Sequence, residues 1–180
     1  MKLDQENILI EKAKSDSKYF APIYNRYYEV IFRFVYRKVQ NMDIAGDITS
    51  QVFLKALLNL NKYQFKGFPF SSWLYKIALN ETNLFFRVQS KHLEVSISDN
   101  HIQLIAEEIE LDCSEQKKQQ LVKALNQLKE EQQNLIEMRF FEQFSFLEIA
   151  QILNLTEAAA KMKVYRIVKR LKKMITLKSK

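Results

Sequence analysis

"SFLEIAQILNLTEAAAKMKVYRIVKRLKK", residues 145–173, decides the fold of the C-terminal half. Ser145 and Glu148 match the Ser-x-x-Glu capping box, so a helix is predicted to start at Phe146. Ile149, Ile152 and Leu153 fall on one face of it. Asn154 suits a bend, because Asn tolerates left-handed backbone better than most side chains. Thr156 is placed to cap a second helix, with Glu157 complementing the positive end of its dipole. In that helix Ala160, Val164, Ile167, Val168, Leu171 and Ile175 recur at helical spacing and are expected to face a core. Glu157, Ala158, Lys161, Met162, Tyr165, Arg166 and Lys169 are left to face outward.

Two helices joined by so short a turn fit a helix-turn-helix, whose second helix enters the major groove by its N-terminal residues. Alanines there permit close approach to bases, while Lys161, Arg166 and Lys169 reach phosphates or base edges. The same stretch also fits an ordinary amphipathic pair with a solvated basic face. Both readings stand at this point.

The bulk composition narrows the class. The chain has 180 residues, 47% of them hydrophobic, enough for one ordinary domain or two small ones. With 2 Gly and 2 Pro there is little material for hairpins, which favours an all-α fold. Cys113 is the 1 cysteine, so no intrachain disulfide and no Cys-rich zinc site is expected. His92 and His101 match no ligand spacing and read as linker side chains. The polar start "MKLDQENILIEKAKSD" does not resemble a signal peptide, and no apolar run approaches membrane-spanning length. The expectation is a soluble cytoplasmic protein without membrane insertion.

The net charge of +7 is unevenly spread. Residues 1–91 carry 14 basic and 8 acidic side chains, residues 92–116 carry none and 7, and residues 117–180 carry 14 and 6. Two basic blocks around an acidic segment suggest two small helical domains, 1–91 and 117–180, joined by an acidic flexible linker, 92–116. Both domains would bind nucleic acid.

In the first block, a short helix is predicted over about Gln5–Lys14 and a longer one over "KYFAPIYNRYYEVIFRFVYRKV". The latter aligns Phe20, Ile23, Tyr24, Tyr27, Ile31, Phe34 and Val35 as a core stripe. Asp43 is expected to cap "IAGDITSQVFLKALLNL", with Ile44, Ile48, Val52, Ala56 and Leu57 inward. The loop "NKYQFKGFPF" follows, then a helix capped by Ser71 or Ser72. The acidic segment has weak periodicity and reads as a tether with one short helix near Leu104–Ile109. The second block is predicted to hold helices over Lys117–Gln127, Glu131–Phe141 and the quoted pair, with a tail beyond Met174.

"FKGFPFSSWLYKIALN", residues 65–80, is the second informative stretch. Phe65, Phe68 and Phe70 crowd a Gly/Pro loop beside Lys66, with Trp73, Lys76 and Asn80 on the following helix. Aromatics interleaved with basic residues hold unstacked bases, at about 1–3 kcal/mol per stacked base. Asn80 is placed to hydrogen-bond a base edge. Core packing is the competing role, and it suits Trp73 and Phe70 better than the loop residues.

Four segments in order, "PIYNRYYEVIFRFVYRKV", "IAGDITSQVFLKAL", "FPFSSWLYKIALN" and "RFFEQFSFLEIAQILNLTEAAAKMKVYRIVKRL", resemble a bacterial RNA polymerase sigma factor of the extracytoplasmic function (ECF) group. The resemblance spans nearly all of the chain except the acidic segment. It implies core RNA polymerase and promoter DNA as partners, room for an anti-sigma factor, and no cofactor or metal. It places Asp47, Gln51 and Leu54 against the polymerase clamp helices. It assigns Phe65, Lys66, Phe68, Phe70, Trp73, Lys76 and Asn80 to the melted −10 element, the loop pocketing a flipped base. Arg139, Thr156, Ala158, Lys161, Met162, Tyr165 and Arg166 are assigned to the −35 duplex, and the acidic segment to a path near the polymerase active centre and RNA exit.

The sequence departs from that pattern in places. Gly46 precedes Asp47 where an acidic residue is usual, and Gln51 stands where Glu is common. Leu79 and Leu84 occupy places often held by Arg and Asp. Asn154 replaces a frequent Gly, and Ala159 and Ala160 a common Thr-Val pair. Two readings from other classes compete: a stand-alone helix-turn-helix regulator binding duplex DNA as a dimer, and an adaptor whose basic C-terminal helix binds acidic partners or membrane surfaces. No nucleophile–base pair, phosphate-cradling glycine loop or metal-ligand cluster is found, so no catalytic residue is assigned.

Overall fold

A computed structural model describes residues 3–89, 99–111 and 114–176. His92, Cys113 and the tail from Leu177 lie outside the described residues. Every regular element among them is helical, and the chain divides into two compact units, Met1–His92 and Leu93–Lys180.

The first unit packs α1 (Leu3–Ser15), α2 (Ala21–Val39), α3 (Met42–Leu58) and α4 (Phe70–Gln89) around one apolar centre. A 3₁₀ turn, Ser17–Phe20, precedes α2 and is capped by Asp16, whose side chain accepts the Lys18 N–H at 3.0 Å. Pro22 sits in the first turn of α2, where its missing N–H costs nothing. The aromatic stripe of α2 is buried as expected at Phe20, Ile23, Tyr27, Ile31, Phe34 and Val35. Tyr24 is the exception. It lies partly exposed, tilted against Tyr28 and edge-on to Phe53 of the next helix.

Helix α3 differs from expectation at its cap and in its phase. Asn41, not Asp43, caps it, accepting the Ile44 N–H at 2.9 Å. The buried set is Ala45, Ile48, Thr49, Val52, Phe53 and Ala56, so Ile44 and Leu57 are only half-buried. The large Phe53 ring, packed on Phe20, Tyr24 and Tyr28, sets the rotation of the helix.

Helix α4 begins at Phe70, so Ser71 and Ser72 lie within its first turn rather than capping it. The Phe70 N–H is taken instead by the buried carboxylate of Glu6, at 2.8 Å. A helix N-terminus leaves N–H groups without intrahelical partners, and a carboxylate there is favoured by the helix dipole as well.

The second unit contains α5 (Asp99–Glu108), α6 (Glu115–Asn126), α7 (Glu130–Ile136), α8 (Phe146–Leu153) and α9 (Glu157–Thr176). Residues 99–108 of the acidic segment therefore form a helix, longer than the one expected near Leu104–Ile109. Ile102, Ile105, Ala106 and Ile109 recur at i, i+3, i+4 and i+7, are buried, and pack this helix into the second unit. His101 lies flat on Phe141, with ring centroids 4.1 Å apart. The expected helix over Glu131–Phe141 is in two parts: α7, then a wider π turn over Glu137–Phe141, closed by the Glu142 N–H bonding to the Glu137 carbonyl at 3.0 Å.

Candidate nucleic-acid interface

In the first unit the loop over 64–69 leads into an aromatic cluster centred on Phe70. Phe70 is 0% exposed, and its ring meets Tyr63 at 5.0 Å and Trp73 at 5.3 Å between centroids, with Phe20 and Tyr27 each at 6.5 Å. Phe70 thus has no exposed ring surface for a base to stack on and holds the cluster together from within. Within the loop Phe65 and Phe68 are half-buried, and Lys66 and Gly67 are exposed. Gly67 holds φ at +80°, in the left-handed region, which lets the loop reverse between the two phenylalanines. Trp73 and Lys76 are half-buried and Asn80 exposed, and their i, i+3, i+7 spacing aligns them along α4. Leu79 is buried, so this departure from the family pattern sits in the core, whereas Leu84 is exposed.

Asp47, Gln51 and Leu54 form a separate exposed row on α3 that continues to Leu58. A shallow groove beside it is lined by Asp47, Gln51, Glu81, Leu84, Phe85 and Val88. An ion pair between Lys55 and Glu81, 2.6 Å long, ties α3 to α4 at this place. Exposed leucines beside a carboxylate and an amide make this surface apolar and without the basic character of the start of α9.

In the second unit the helix-turn-helix forms with the expected local chemistry. Ser145 Oγ accepts the Glu148 N–H at 3.2 Å, and Glu148 in return accepts the Ser145 N–H at 2.9 Å. Asn154 takes φ 53°, ψ 48°, ending α8, and Thr156 Oγ1 accepts the Ala159 N–H at 3.2 Å. Ala160, Val164, Ile167, Val168, Leu171 and Ile175 are all buried, while Leu153 is only half-buried because Ala150 takes the inward place on α8. Thr156, Ala158, Lys161, Met162, Tyr165 and Arg166 are exposed together at the start of α9.

Arg139 is half-buried and holds the loop before α8. Its guanidinium donates to the Phe144 carbonyl at 3.0 Å and lies 4.6 Å from the centroid of the Phe146 ring. Phe146 in turn lies 6.1 Å from Tyr165. Reading the sequence missed Phe146, although an aromatic immediately after a capping Ser was visible there. It also missed Glu6, for which no local signal exists, since its partner is Phe70.

Two family models match the chain: that described as Sigma-70 region 2 at residues 23–92, and that described as Sigma-70, region 4 at residues 118–171. The chain is 28% identical over 172 residues to the ECF RNA polymerase sigma factor BldN of Streptomyces coelicolor, covering 93% of this chain and 64% of BldN. It is 26% identical over 178 residues to the ECF RNA polymerase sigma factor SigW of Bacillus subtilis, covering 90% of this chain and 91% of SigW. Among solved structures, CnrH in complex with the cytosolic domain of CnrY superposes with TM-score 0.64 at 16% identity, covering 96% of this chain and 97% of that one. The sigma factor RpoE of Bartonella quintana, solved with the anti-sigma factor NepR, gives 0.56 at 19% identity, over 87% and 96%.

Proposed function

The chain belongs to the ECF group of sigma-70 factors, and from that premise we propose how its two units divide the recognition of a promoter. Core RNA polymerase is bound by the first unit through the Asp47–Gln51–Leu54 row. Its aromatic loop and the α4 face, with Phe65, Lys66, Phe68, Lys76 and Asn80, hold unstacked −10 bases, and Trp73 supports them from below. The second unit reads the −35 duplex with Arg139, Thr156, Ala158, Lys161, Met162, Tyr165 and Arg166. No bond-making step is assigned to the chain; the polymerase carries the chemistry.

One observation carries this division: exposed Lys66 and Asn80 flank half-buried rings in one compact unit, and the exposed start of α9 belongs to another. A stand-alone regulator needs the second surface and leaves the first without a task. No described helix is long and apolar enough to cross a membrane, and action in the cytoplasm follows from this reading. An anti-sigma factor covering the exposed Leu54–Leu58 row is part of the same proposal.

The test is transcription with purified core polymerase on genomic fragments, with start sites mapped. Initiation at defined sites that requires this protein supports the reading. Tight sequence-specific binding by the protein alone, with no effect on initiation, overturns it.

A further inference from the structure

Helix α1 grips the aromatic loop at both ends. At the exit, Glu6 Oε2 accepts the Phe70 N–H at 2.8 Å. At the entry, Lys14 Nζ donates to the Tyr63 carbonyl at 3.0 Å, while also pairing with Glu11 at 2.7 Å. Glu6 is 2% exposed, and its second oxygen accepts the Tyr27 hydroxyl, with Arg26 Nε 3.9 Å away. Burying a carboxylate is costly unless its oxygens are hydrogen-bonded. Here they are, and one of the donors is the first N–H of the helix that carries Asn80.

The residues between these ties, 64–69, contain the half-buried Phe65 and Phe68 and the exposed Lys66. A loop ordered only on binding loses affinity to its own conformational entropy, and fixing it beforehand removes that cost. We infer that α1 is a positioning clamp for this loop, with Glu6 setting its exit and Lys14 its entry, so that Phe65, Lys66 and Phe68 stand ready before DNA arrives. The inference rests on reading the loop as the −10 base site. Glu6 and Lys14 are positioning residues and touch no DNA themselves.

Trp73 is the 1 tryptophan of the chain and packs against Phe70, with the ring planes tilted at 55°, so its fluorescence reports on the start of α4 without any assay of activity. The experiment compares Glu6→Met, Glu6→Gln, Lys14→Met and Phe68→Ala in the full chain. Acrylamide quenching of Trp73 is read in the free protein, and permanganate reactivity of a duplex promoter in the holoenzyme. Glu6→Met removes both acceptors. It is expected to raise quenching at unchanged helicity and to lower opening about tenfold, the size of the one lost hydrogen bond that holds the loop, that from Phe70. Glu6→Gln can still accept from Phe70 and donate to Tyr27, so it should restore both readouts, which a mere loss of charge would not. Lys14→Met acts at a partly exposed site and decides the matter if Glu6→Met does not fold. Wild-type quenching and opening in folded Glu6→Met or in Lys14→Met overturn the clamp. If Phe68→Ala opens promoters normally, the −10 reading of the loop fails instead, and Trp73 quenching then shows separately whether α1 fixes the loop.

Discussion

The guanidinium of Arg139 lies over the ring of Phe146, 4.6 Å from its centroid, and ties the π turn to the first helix of the helix-turn-helix. The same group donates to the Phe144 carbonyl, so a side chain assigned to DNA also closes the connection between the two helices. Arg139→Ala should therefore lower both stability and −35 affinity. The stability loss should be about 1–3 kcal/mol, from a charge-assisted hydrogen bond and a partly desolvated cation–π contact. Arg139→Lys keeps the charge but not the planar fork, and should recover less than half of the stability. Thermal unfolding of the full chain checks this; equal stability of Arg139→Ala and wild type would leave the residue to DNA alone.

Asp47 stands on the exposed row of α3, opposite Ile48 and Val52 in the core. Asp47→Lys should weaken binding to core polymerase and leave the fold unchanged, because nothing buried is altered. Pull-down with core polymerase measures the first and circular dichroism the second. Undiminished retention by core removes this contact from the proposal.

The local signals that shaped the second unit were legible because they lie within a few residues of each other. Ser145 and Glu148 cap one helix, and Ala160 to Ile175 mark the inner face of the next, all by spacing alone. The start of α4 was not legible, since its first N–H is satisfied by Glu6, 64 positions away. Helix Asp99–Glu108 was half hidden for a related reason. Its three buried apolar positions are diluted by acids, and the surface they need is supplied by other elements of the second unit. Periodicity reports what a segment offers, not what it will be packed against. The exposure of the site residues was legible for Lys161 to Arg166, whose inner face is well marked. It was not legible for Phe70, because Phe68 in the loop and Phe70 at the start of α4 look alike in sequence, yet the first is half-buried and the second fully buried.

The capping box offers a direct measure of the helix-turn-helix. Ser145→Ala deletes the acceptor of the Glu148 N–H and frees the Glu148 carboxylate from its hydroxyl partner at 2.8 Å. It should cost about 1 kcal/mol. Since Ser145 is exposed, no cavity is created. Chemical denaturation reads the loss, and a value near zero would mean that packing on α9 alone holds α8 in place.

Alkaline pH should loosen the first unit. Burial raises the Tyr63 phenol to about 12 from 10.0, with the Glu6 and Glu11 carboxylates adding to it, and burial and then Glu6 push Tyr27 up as well. The fold thus prefers the neutral phenols. Their contribution is complete below the unfolded value of 10.0 and declines as pH rises from there through the folded value of about 12 for Tyr63. Denaturation followed by Trp73 fluorescence should show stability falling above about pH 10, with a shallower fall in Tyr63→Phe. An identical slope in that variant would place the alkaline sensitivity elsewhere.

Melting and duplex reading should separate on a promoter with a pre-melted −10 bubble. Phe68→Ala and Asn80→Ala alter the first unit, at a half-buried loop ring and an exposed amide, and should impair open-complex formation on matched duplex. Lys161→Ala and Arg166→Ala alter exposed cations at the start of α9 and should weaken −35 binding. The loss is about 1–3 kcal/mol if the contact is bidentate to a base, and near-uniform across sequences if it is to phosphate. The bubble supplies the unpairing energy in advance, so it should rescue Phe68→Ala substantially. Asn80 also holds bases once they are apart, so its rescue should be incomplete. The α9 variants gain nothing from the bubble, because their duplex lies upstream of it. Permanganate footprinting and abortive transcription on matched duplex and bubble templates measure both classes side by side. If the bubble restores the α9 variants as fully as Phe68→Ala, the two units do not divide the task in this way.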